Sequence, residues 1–143
     1  MTDLAHAVQA LDGHSLCLCR GETLMTDDGR GIAPMLRLIG EGRDLRGFSC
    51  ADVIVGKAAA MLFVLAGIRA VHGNVMSESG RAFLEENGIP CTYDTLTAHI
   101  INREGTDICP MEKTVAGLHD PQAAYEALRE KLAAMRAGRA SGA

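Results

Sequence analysis

Cys50-Ala51-Asp52 places a soft metal ligand two residues before an acid. A thiolate that binds zinc and a carboxylate that moves a proton would make a workable pair. The same stretch, read as Ser49-x-x-Asp52, is also a helix-capping pattern. In that reading Ser49 accepts the amide hydrogen at the third helical position, and Asp52 reaches back to the Ser49 amide. A negative charge there gains about 0.3–1 kcal/mol from the helix dipole. This second reading needs no metal and no substrate. Asp52 is therefore a candidate proton carrier on one reading and a cap at the mouth of a cleft on the other.

Cys109-Pro110-Met111-Glu112-Lys113 is the other stretch with chemical potential. Pro at the first helical position and Glu at the third predict a helix with Cys109 as its N-cap. A cysteine at a helix N-terminus has its thiolate stabilised by free amides and the dipole. Cys109 is thus the candidate nucleophile among the five cysteines. A nucleophile also needs a base and an oxyanion site. His99, Glu112 and Asn102 are the nearest candidates along the chain, in no recognised catalytic spacing. Packing of Cys109 in the core is the alternative.

Several residues could instead hold a small or anionic ligand. Lys57 is the only cation in an otherwise apolar run, so it either snorkels to the surface or meets an anion in a cavity. Gly56-Lys57 is not a phosphate loop, because Ala51 stands where the upstream glycine belongs and Ala58 replaces Ser or Thr. Asn102-Arg103-Glu104-Gly105 could cradle an anion or a carboxylate, or could be a surface loop in which Arg103 pairs with Glu104 or Asp107. Ser77 and Glu78 open a further predicted helix and join the ligand-binding set with Lys57, Asn102, Arg103 and Glu112. The histidines at 6, 14, 72, 99 and 119 show no metal spacing, and no Cys-x-x-Cys occurs. No metal ligands and no cofactor are assigned. His72, on a predicted strand, reads as a packed or edge histidine, with convergence on Cys50 and Cys109 as the residual zinc hypothesis.

These residues need elements to position them. The pattern predicts a helix over 3–12, a hairpin from 14–19 into Thr23-Leu24-Met25-Thr26, and a short helix over 33–40. Cys17 and Cys19 share one face of the first hairpin strand. A helix over 50–66, apolar on nearly every side, follows with Gly56 inside it and Gly67 closing it. A strand over 69–76, a helix over 77–87 closed by Gly88, and a strand at Ile89–Asp94 come next. Residues 95–108 carry no clear pattern. A last helix covers 121–136, and 138–143 reads as a flexible tail after a single domain over 1–137. Strand–helix–strand at this spacing implies parallel pairing, hence an α/β sandwich rather than a bundle.

Composition narrows the function classes. Aromatics are 3 % with no Trp, and the net charge is −4. Such a chain is poorly equipped to stack bases or to neutralise phosphates, so nucleic acid is not an expected partner. The longest nearly apolar run, Ala58 to Ile68, is too short to span a bilayer. Five scattered cysteines and no apolar leader point to a cytoplasmic protein with reduced thiols.

The order of elements, with Cys-Ala-Asp opening a central helix, resembles the cytidine-deaminase-like fold. In that superfamily a second motif, P-C-x-x-C-R, opens the next helix. The matching stretch here is Met76-Ser77-Glu78-Ser79-Gly80-Arg81, so Ser77 and Gly80 stand where two zinc-binding cysteines would be. Gly has no ligand atom and Ser is a poor one. The chain also resembles an uncharacterised family, a domain of unknown function assigned to that superfamily. GFSCADVIVGKAAAML, SESGRAFLEENGI and IINREGTDICPMEKTV carry that likeness. The resemblance implies a three-layer α/β/α sandwich with a mixed sheet and brings no established reaction. The leading expectation is a non-metal binder of a small, nucleotide-like or anionic ligand. The alternatives are a thiol-dependent enzyme using Cys109 and a self-associating module, a homodimer for example, with a vestigial cleft.

Overall fold

The computed structural model describes residues 1–141, in which eleven elements alternate along the chain. Helix α1 (Asp3–Ala10) leads into the hairpin β1 (Leu16–Arg20) and β2 (Thr23–Asp27), then α2 (Ala33–Gly40). The centre is β3 (Ser49–Val55), α3 (Lys57–Ala66), β4 (Ala70–Ser77), α4 (Glu78–Glu86) and β5 (Cys91–Thr97). The short α5 (Pro110–Val115) and the long α6 (Pro121–Ser141) complete it. The five strands form one mixed sheet in the order β2-β1-β3-β4-β5. β1 is antiparallel to both neighbours, whereas β3, β4 and β5 run parallel. This is an α/β fold with helices against both faces of the sheet.

The predicted helix over 50–66 is corrected. Residues 49–55 are a central strand, and only Lys57–Ala66 is helical. A strand buried on both faces shows no alternation, so its apolar run continues into that of the next helix without a break in pattern. Gly56, expected inside the helix, is its N-cap. Ser49 and Asp52 cap nothing: they are paired to Cys19 and Leu16 of β1 on one side and to Ala70 and Gly73 of β4 on the other. The final helix runs through 138–141, expected as tail, and 142–143 lie outside the described residues.

Two cores lie on the two sides of the sheet. The larger gathers Leu18, Met61, Leu62, Phe63, Val71, Leu84 and Leu128 beneath α2 to α6. The smaller holds Ala7 and Leu11 at α1 against Cys17, Cys19 and Ala51. Cys17 and Cys19 do share a face, packed under α1. Gly67 ends α3 in the left-handed region at φ 76°, where a side chain would clash with its own backbone. α3 and α4 both start at the C-terminal ends of adjacent parallel strands, the edge at which open α/β sheets place ligands.

Candidate functional site

The two helix starts at that edge are packed main chain to main chain. Ser77 is fully buried and caps α4, its Oγ accepting from the Gly80 amide at 3.0 Å. A Cβ on Gly80 would lie 2.9 Å from the carbonyl carbon of Gly56, so only glycine allows this approach. Gly56 in turn offers no side chain to cap α3. The cap comes from 55 residues away in sequence. Both oxygens of Glu112 accept hydrogen bonds, one from the Lys57 amide and one from the Ala58 amide, each at 2.8 Å. A carboxylate on two free amides at the positive end of a helix dipole is a strong, charge-assisted contact.

Lys57 returns the contact. Its Nζ donates to the carbonyl of Ala116, the C-cap of α5, at 3.2 Å. That contact is solvent-exposed, so the ammonium reaches the surface while serving the end of α5. Each helix thus closes one end of the other: α5 supplies the carboxylate for the start of α3, and α3 supplies the ammonium for the end of α5. Met111 and Val115 anchor α5 in the larger core. Of residues 99–113, Glu112 on α5 is the one that reaches back to this edge by hydrogen bonds, and it meets the start of α3.

The remaining candidates are dispersed. Asp52 lies in mid-strand, 9 % exposed, with Oδ1 accepting weakly from the Ile54 amide at 3.4 Å. Burial pushes its carboxyl up to about 7, opposed by hydrogen bonds from the Ile54 and Val53 amides. Cys109 is the half-buried N-cap of α5, and its side chain makes no capping hydrogen bond. Glu112, considered as its base, is committed to α3, and His99 is exposed. Asn102 organises its own turn, with Oδ1 accepting from the Thr106 amide at 3.0 Å. Arg103 lies exposed in that turn, and Asp107 pairs with Lys113. Glu78 is exposed at the start of α4.

Cys50 and His72 project from opposite faces of the sheet. Cys50 belongs to the larger core, whereas His72 is paired with Ala51, which belongs to the smaller one. Strand alternation separates them, so they cannot share an ion. Among the described residues no three His, Cys, Asp or Glu side chains are grouped to hold a metal ion, and no helix is long and apolar enough to cross a membrane.

Comparison with known proteins gives the family. The domain of unknown function DUF1893 matches residues 5–132. The chain belongs to the DUF1893 family. The crystal structure of a DUF1893 family protein from Thermotoga maritima is similar to it, with 25 % identity and a TM-score of 0.83. The match covers 92 % of this chain and 91 % of that one. No curated protein matches. DUF1893 membership accounts for the architecture and carries no reaction with it.

Sequence reasoning missed a second cluster on the α1 side of the sheet. His72 is 6 % exposed, and its Nδ1 lies 2.7 Å from Thr92 Oγ1. Its Nε2 is buried without a hydrogen-bond partner, 3.6 Å from Asp94 Oδ1. The spacing His72 to Thr92 to Asp94 follows from the β4–β5 register, which the sequence did not reveal.

Proposed function

We propose that this DUF1893 chain is a non-catalytic protein on a metal-free variant of the cytidine-deaminase-like three-layer plan, with the ligand edge of that plan closed. The strand order, and the start of α3 and α4 at the ends of adjacent parallel strands, support that plan. One observation carries the functional reading: the chain closes the chemical edge with its own atoms. Gly56 and Gly80 leave no side chain where a ligand set would project, and their main chains touch. The amides that a small anionic or nucleotide-like ligand would use are already bonded to Glu112. Admitting such a ligand means lifting α5 and exposing Met111 and Val115, at roughly 1.5–3 kcal/mol for each side chain.

Untagged protein incubated with zinc and dialysed should retain less than about 0.2 zinc per chain. It should release no ammonia from cytosine or adenine nucleosides. Added inorganic phosphate should leave the Lys57 and Ala58 amide resonances of the wild type unmoved and shift them in Glu112→Ala. Stoichiometric zinc with ammonia release, or saturable phosphate shifts at those amides in the wild type, overturns the reading.

A further inference from the structure

We infer that the free edge of the sheet at β5 is the contact by which two copies of this chain pair, antiparallel and about a two-fold axis through Thr92. The inference is independent of the closed edge, because β5 is an outermost strand, beside β4 and against α4. Its Thr92, Tyr93, Asp94 and Thr95 are exposed in succession. Proteins blunt such an edge with Lys, Pro or a bulge. Cys91–Thr97 holds no Lys and no Pro. Its register with β4 is constant from Val71↔Cys91 to Ser77↔Thr97, so no bulge bends it away. Three threonines and a tyrosine suit it to a further strand.

The main chain sets which residues pair. Val71 lies opposite Cys91, and its amide donates to the Pro90 carbonyl at 3.1 Å. Alternation along the ladder then turns Pro90 and Thr92 toward β4 and leaves the amide and carbonyl of Cys91 and of Tyr93 pointing outward. In an antiparallel pair about Thr92, Cys91 of each copy lies opposite Tyr93 of the other. These are the residues with free outward groups, so each such pair exchanges two hydrogen bonds. Pro90, which has no amide hydrogen, falls opposite Asp94, where none is needed.

The side chains fit the same register. Thr92 meets Thr92 of the second copy, a favourable cross-strand pair. Tyr93, 38 % exposed, lays its ring over the half-buried Cys91 of the second copy. Asp94 is the one charge on β5. About Thr92 the two Asp94 residues stand four positions apart, roughly 13 Å, which is beyond the screening length at physiological salt. A two-fold through Asp94 itself sets the carboxylates face to face and is disfavoured.

Charge on α4 makes the contact self-complementary. Arg81 and Glu85 lie one turn apart on the side of α4 that overhangs β5. Arg81 Nη1 is 3.4 Å from the Tyr93 hydroxyl. Both charges also act on the Cys91 thiol: burial raises it, Glu85 adds to the rise and Arg81 opposes it. Because α4 runs back against the direction of β5, Arg81 stands at the level of Tyr93 and Glu85 nearer that of Cys91. The two-fold brings those two levels opposite one another, so Arg81 of each copy faces Glu85 of the other. Arg81 has a donor free for it, since its buried Nε has no hydrogen-bond partner and lies 3.8 Å from Glu85 Oε1 of its own chain. A patch that complements itself is what an isologous dimer requires.

Sedimentation velocity of the full chain from micromolar to millimolar concentration tests the pairing, and a monomer–dimer equilibrium is expected. Thr92→Lys sets two ammonium groups against each other on the axis. It should raise the dimer dissociation constant at least about tenfold with an unchanged circular dichroism spectrum. Arg81→Glu and Glu85→Arg should each do the same alone, since like charges then face each other. An equimolar mixture of those two variants should dimerise again, because each contact across the axis then joins opposite charges. A merely structural role for either residue produces no such rescue. Cys91, free to react at dilution, should label more slowly as concentration rises, while Cys109 keeps its rate. A chain still monomeric at millimolar concentration, a dimer that all three variants leave intact, or a mixture no more associated than its components overturns the assignment.

Discussion

Asp52 sits in mid-sheet between Leu16 and Gly73, and among the described residues no cation lies within ion-pair reach. Removal from water disfavours its charged form and raises the carboxyl to about 7. An unfolded Asp titrates near 3.9. Between about pH 4 and pH 7, therefore, the unfolded chain releases a proton that the folded chain keeps. The stability Asp52 contributes as a neutral acid is full below about pH 4, falls as pH rises, and is level above about pH 7. Asp52→Asn removes this titration. Urea unfolding at stepped pH should show the variant gaining on the wild type by about 2–4 kcal/mol between pH 4 and pH 8. A difference that stays constant with pH would mean that Asp52 ionises as an exposed carboxylate does. The sequence drew attention to Asp52 for a different reason. Its type was legible, but its environment depends on strand partners 36 and 21 residues away.

At the scale of elements, α3 and α5 hold each other through Glu112 and Lys57. The sequence correctly placed Cys109 before a helix opened by Pro110 with Glu112 in its first turn. It assigned that carboxylate to its own helix, since a capping box is the local solution and a cap supplied by another element leaves no local signature. The same limit produced the misread of residues 49–55, where a doubly buried strand and a buried helix share one hydropathy pattern. Helix α4, with Ser77 at one end and Gly88 beyond the other, was legible because its amphipathic face and both punctuating residues are local. The clasp makes a quantitative prediction. Glu112→Ala should cost about 2–3 kcal/mol through loss of two charge-assisted bonds. Gly56→Ala should also destabilise, because its Cβ would lie 2.3 Å from Glu112 Oε1. In the Glu112→Ala background that clash is gone, so Gly56→Ala should cost at least about 1 kcal/mol less than in the wild type. Additive costs in equilibrium unfolding would show that Glu112 does not fill the space over Gly56.

The two faces of the sheet are unequally covered: among the described residues helices α2 to α6 bury one face and α1 alone covers part of the other. Little apolar surface holds α1, chiefly Ala7 and Leu11. It should open as a unit at lower free energy than global unfolding. The cysteines report on this, because they are distributed over both layers. Cys91 and Cys109 are half-buried, Cys17 and Cys19 lie under α1, and Cys50 lies in the larger core. Burial raises the thiols of Cys17, Cys19 and Cys50, so each reacts only when its cover opens. Labelling under native conditions should take Cys91 and Cys109 first, then Cys17 and Cys19 together, and Cys50 at least about tenfold more slowly. Low urea should accelerate Cys50 steeply and the α1 pair weakly, since global unfolding exposes more surface than the loss of one helix. Leu128→Ala, which empties a buried site on α6, should cost about 2–5 kcal/mol. It lowers the free energy of global unfolding but leaves the opening of α1 as it was. Cys50 should therefore speed up while Cys17 and Cys19 keep their wild-type rates. If all three accelerate together, the two layers unfold as one, and α1 is not a separable cover of Cys17 and Cys19.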